Sequence, residues 1–184
     1  MISRRTLLGL LPFALAIPAM AEDHPSVVFM NQVGKELLHA HRLGTNSAFM
    51  RVILRYADVG GIADFSLGTY KLAAGEHARY ERGVANFMAR YFAEQSRSYP
   101  IAKFEIGEAT VAENKDVYVA AKVFLMSGPI YSISFQLAWQ NGSYKVVDVK
   151  ILGFSMTAQQ RSIFASYLAK NNGNTDKLIV ALNR

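Results

Sequence analysis

Few side chains in this 184-residue chain have the type and spacing for chemistry. Asp148 is the one acid set inside an apolar strand-like run, Val146-Val147-Asp148-Val149. A carboxylate beside a greasy pocket can take a raised pKa and act as a general base. The plainer reading turns Asp148 to the other side of a sheet, where it bonds a neighbour or a helix end. His39 and His41 are two apart, which on a helix puts them on different faces and rules out a shared metal. His24 lies near the chain start, and His77 sits on the polar side of a helix. Arg161 is expected in the first turn of a helix, where a cation meets the unfavourable end of the dipole. Phosphate binding or a salt bridge would each explain that placement. There is no G-x-S-x-G, no P-loop and no G-x-G-x-x-G. There is no cysteine, hence no disulfide and no thiolate metal site. The expectation is a protein without metal or cofactor, stabilised by packing.

The elements that position these residues are legible as period and punctuation. Residues 25–43 carry Val27, Phe29, Val33, Leu37 and Leu38 at helical spacing, weakened by Gly34. A second short helix covers 47–57, and 59–70 reads as one or two helical turns bent at Gly60-Gly61 and Gly68. The clearest helix covers 75–97, with Tyr80, Val84, Phe87, Met88, Tyr91 and Phe92 on one stripe. Such an aromatic stripe is core, and it can also be the wall of a pocket.

After Pro100 the period falls to two. Strands are expected over 103–112, 116–126, 130–140 and 144–152. In the third, Tyr131, Ile133, Phe135, Leu137 and Trp139 face one way and smaller or polar residues the other. That alternation belongs to an antiparallel sheet covered mainly on one side. Asn141-Gly142 supplies the positive-φ pair of a two-residue hairpin, so the four strands form a meander. Thr157-x-x-Gln160 has the form of a capping box for the next helix, which buries Ile163, Phe164, Tyr167 and Leu168 and ends at Gly173. A last helix, capped by Asn174 or Thr175, holds Leu178, Ile179 and Leu182. The fold class is α+β: a twisted antiparallel sheet of about four strands, covered on one face by helices.

Residues 1–21 read as an export leader. Arg4 and Arg5 precede the apolar stretch 7–17, and Ala19-Met20-Ala21 is a small-x-small cleavage site. The stretch is too short to span a bilayer, which needs roughly 20 residues. Ser3-Arg4-Arg5-Thr6-Leu7-Leu8 is also an imperfect twin-arginine signal, so both export routes stay open. Residues 22–184 then form a single domain. Losing the leader's two arginines lowers the net charge from +6 to +4. That mild excess favours an anionic surface or headgroup and is too scattered for nucleic acid.

The stretch from Gly142 to Arg161 carries a resemblance. Gly142-x-Tyr144-Lys145-Val146-Val147-Asp148-Val149, Gly153-x-Ser155-Met156 and Arg161-Ser162-x-Phe164 are similar to the C-terminal signature of the MlaC, or toluene-tolerance, family. Tyr56, Val59, Ile62-Ala63, Phe65, Leu67-Gly68-x-Tyr70, Phe87, Tyr91, Gly173, Asp176-x-Leu178-Ile179 and Leu182 extend the likeness over nearly all of 22–184. Two features depart from it: Tyr144 stands where the family more often has Trp, and the turn Ser127-Gly128-Pro129-Ile130 is unusual.

The resemblance implies a monomeric periplasmic carrier that holds phospholipid as cargo between sheet and helices. It implies partners in an inner-membrane ABC transporter complex and an outer-membrane lipoprotein complex, and a part in maintaining outer-membrane lipid asymmetry. A hopanoid-associated subgroup and a small-pocket α+β enzyme using Asp148 remain alternatives. The expected wall comprises Ile62, Phe65, Leu67, Phe87, Tyr91, Val123, Leu125, Ile133, Phe135, Leu137, Val149, Ile151 and Phe154, with Arg161 at the headgroup. Strand parity guides that choice, and a one-residue slip would turn it inside out.

Overall fold

A computed structural model describes residues 24–184; the expected leader lies outside them. The helical half comes first. α1 (Pro25–Leu43) starts at His24, whose ring accepts the Ser26 N–H, and stops at Gly44 in the left-handed conformation. Thr45 caps α2 (Asn46–Tyr56) and Asp58 caps α3 (Val59–Leu67), each with its side chain. Gly60-Gly61 sit inside α3 and do not break it. α4 (His77–Ser98) is the long helix of the aromatic stripe.

The strands follow: β1 (Ile101–Val111), β2 (Val117–Leu125), β3 (Ile130–Gln140), β4 (Ser143–Ile151) and the short β5 (Phe154–Ser155). They form an antiparallel sheet in sequence order, one strand more than expected. Asn141 and Gly142 turn β3 into β4 with φ of 49° and 80°. α5 (Met156–Lys170) and α6 (Thr175–Leu182) close the chain.

Alternation along the sheet decides what is inside. Val117, Val119, Ala121, Val123 and Leu125 of β2 and Phe135 and Leu137 of β3 are buried on the helix-covered face. Gly34 weakens α1 as a helix but serves the packing. A Cβ there would lie 2.7 Å from the Phe104 ring, so glycine lets α1 approach β1. The apolar side chains divide into two bodies. One lies between the sheet and α1, α2 and the later part of α4. The other joins α3, the earlier part of α4, α5 and α6 around Tyr80, Phe164, Leu168 and Ile179. No helix among the described residues is long and apolar enough to cross a membrane.

Candidate functional site

The first apolar body is hollow. A cavity of about 510 Å³ lies between the sheet and helices α1 to α5. That is within the range of small-molecule sites, roughly 300–1,000 Å³. The sheet supplies Phe104, Val123, Leu125, Ile133, Phe135, Val149 and Ile151, and the helices supply Val33, Leu37, Phe49, Val52, Phe87, Met88 and Phe92. No Lys or Arg lines it.

The polar groups in this wall are committed to holding the frame. Asp148 lies beside a bulge, since Gln136 pairs with Asp148 but Leu137 pairs with Val146. Its Oδ1 accepts the Val149 N–H at 2.8 Å and the Thr157 N–H at 3.1 Å. Thr157 is in the first turn of α5, where an acid complements the helix dipole. Asp148 thus fastens α5 to β4: it bonds a helix end, as the plainer sequence reading has it, but from the cavity side of the sheet and not from the other face. Gln160 repeats the device on α5: its Nε2 donates to Ser66 Oγ at 2.8 Å, and Ser66 donates to the Ile62 carbonyl at 2.7 Å.

His41 faces the cavity from α1, and its Nε2 accepts the Ile101 N–H at 3.0 Å. Burial pushes its pKa down. Tyr56 donates its hydroxyl to Glu36 at 2.6 Å. That bond holds the Glu36 carboxyl below the usual range, while burial pushes the Tyr56 phenol up. Every buried side-chain polar atom among the described residues has a partner. Among those residues no cluster of His, Asp and Glu could hold a metal.

Of the thirteen expected wall residues, Ile62, Phe87, Tyr91, Val123, Leu125, Ile133, Phe135, Val149 and Ile151 line the cavity. Four do not. Leu137 is on the right face but at the closed end of the sheet, fully buried in the part of the first body that packs shut beyond the cavity. Leu67 packs into the second apolar body. Phe65 is exposed on α3, beneath the Arg161 guanidinium at 5.1 Å from the ring centroid. Phe154 pairs with Ile151 but stands outside the wall at the sheet edge.

Arg161 does not reach the cavity, and it is not in the first turn of its helix. α5 begins at Met156 under a Ser155 cap, which accepts the Ala158 N–H at 3.1 Å, so Arg161 falls in the second turn. Thr157 is inside the helix and Gln160 points into the fold, so no capping box forms between them. Sequence parity missed the α1 and α2 walls. Phe49, Val52, Ile53 and Tyr56 do recur at helical spacing, which was the available signal.

Two comparisons with known proteins agree with this geometry. The family described as MlaC protein matches residues 31–184. A phospholipid-binding protein from Ralstonia solanacearum, solved in complex with a phospholipid, has the same fold, with a TM-score of 0.70 and 16% identity. The alignment covers 88% of this chain and 96% of that one. No curated protein matches the sequence.

Proposed function

The chain belongs to the MlaC family, and we propose that it is a periplasmic lipid carrier whose cavity holds the acyl chains of a phospholipid. The observation that carries this reading is an apolar, cation-free cavity of about 510 Å³ inside an otherwise packed fold. Each buried methylene is worth about 0.8 kcal/mol, so two chains of ordinary length gain on the order of 20 kcal/mol against water. A bilayer offers nearly the same gain. Exchange between carrier and membrane is then close to balanced, and direction comes from partners: an inner-membrane ABC complex and an outer-membrane lipoprotein complex. We assign the nine cavity-lining residues above to acyl-chain contact. The absence of Lys and Arg from the wall supports a headgroup held at the mouth, since a buried phosphate without a partner is costly.

Organic extraction of the purified protein followed by mass spectrometry tests the reading. The expected result is diacyl phospholipid at near one per chain. A triterpenoid in its place would move the assignment to the hopanoid-associated branch, and an extract without lipid would sink the carrier. Asp148→Asn separates carriage from catalysis. It should loosen α5 by losing charge at the two amide contacts, with no turnover for it to abolish.

A further inference from the structure

The cavity opens at one end of the sheet, and that end is unusually apolar on its outside. Met126 and Ile130 flank the β2–β3 turn and are 73% and 56% exposed. Leu152 and Phe154 flank the β4–β5 turn and are 60% and 69% exposed. These tips are fastened side by side. Met126 N–H donates to the Pro100 carbonyl at 2.8 Å, and Leu152 N–H donates to the Ser132 carbonyl at 3.3 Å. Each exposed residue adjoins a wall residue: Met126 follows Leu125, Ile130 precedes Tyr131, and Leu152 and Phe154 flank and pair with Ile151. Tyr99 and Ile163 belong to the cavity wall itself and are half exposed. Scattered surface apolar residues need no explanation, but a contiguous rim around a cavity mouth does.

Charge points the same way. The segments that build this end, residues 95–104, 123–133 and 149–163, contain no Asp or Glu, although the buried Asp148 lines the cavity behind them. Arg97, Lys103 and Lys150 lie within them. Lys103 is bonded to Glu105, just beyond the first segment. An acid-free rim that carries a few cations is complementary to anionic headgroups.

Resting on the carrier reading, we propose that this rim is a docking face for an anionic lipid bilayer. The turns Met126-to-Ile130 and Leu152-to-Phe154 enter the headgroup layer, and the cavity mouth is thereby set against the membrane. Cargo then passes between bilayer and cavity without crossing water.

Vesicle flotation of the purified protein, exported and processed by a bacterial host, tests this. Vesicles of phosphatidylcholine with phosphatidylglycerol are compared with vesicles of phosphatidylcholine alone. The wild type should float with the anionic vesicles and less with the neutral ones. The double variant Met126→Asp, Phe154→Asp alters exposed positions only, and should lower flotation about ten-fold or more while its melting temperature is kept. Flotation of the variant equal to wild type overturns the proposal. So does a lipid-loaded wild type that stays with the soluble fraction on both vesicles, which would assign the rim to a protein partner. Lipid content, read in the same preparation, reports on the carrier reading separately.

Discussion

The two apolar bodies are built from the same kinds of side chain, yet one is solid and the other encloses space. α4 contributes to both. Its earlier turns place Tyr80 and Val84 in the solid body, where Tyr80 donates its hydroxyl to the Ala63 carbonyl at 3.1 Å. Its later turns place Met88, Tyr91 and Phe92 on the cavity. In the solid body, helices meet helices, and side chains of α3, α5 and α6 interlock around Phe164. In the hollow one, helices span a broad sheet: Gly34 draws α1 onto β1, while the bulge at Asp148 and the Asp148 carboxylate bond seat α5 over the other edge. Hollowness therefore comes from the placement of elements and not from a distinct set of residues.

The largest effect should come from truncating the solid body. Phe164 is 1% exposed and touches the rings of Tyr80 and Phe87. Phe164→Ala should cost about 3–5 kcal/mol, because the removed ring leaves a void among fixed neighbours. Ile133→Ala removes a half-buried side chain that already borders open space, and should cost no more than about 2 kcal/mol, the low end for such truncations. Equal losses in urea unfolding of the delipidated proteins would mean that the cavity is closed in solution and the contrast is lost.

Enlargement should keep the ranking. Ala63 is fully buried, so Ala63→Phe should cost about 1–3 kcal/mol or more by overpacking. Val149→Phe has the cavity to grow into. It should leave stability within about 1 kcal/mol and lower the co-purified lipid. A Val149→Phe protein that keeps its full lipid content would show that cargo lies elsewhere.

The sequence carried the elements well and the hollowness poorly. Period-two runs and the Asn141-Gly142 turn were enough for the meander, since each strand has one buried face. β5 escaped because two residues carry no period. The start of α5 slipped because both Ser155 and Thr157 have capping side chains, and only the bond from Ala158 N–H to Ser155 decides between them. Phe135 and Leu137 face the same way and look alike in sequence. One lines space and the other is sealed, and the difference is distance from the open end of the sheet. Phe154 fell outside the wall for the converse reason: it lies past that end.

The smallest predicted effect sharpens the comparison at its edge. The solid body buries Tyr80, whose phenol is pushed far up by burial and so moves further from neutrality. The hollow body has His41, held neutral by burial, with Nε2 already accepting the Ile101 N–H. Its folded pKa lies below the unfolded value of about 6.5. Over the window beneath 6.5 the unfolded chain binds more protons, so the stability that neutral His41 contributes is full above that value and is lost as pH falls. Protonation also places a proton on Nε2 and removes the acceptor for Ile101, the first residue of β1 at the cavity mouth. His41→Gln keeps an acceptor without a titrating group. Thermal melts between about pH 7 and about pH 5 should therefore show a smaller acid loss in His41→Gln than in wild type. Parallel curves for the two proteins would remove His41 from the account and leave the mouth indifferent to pH.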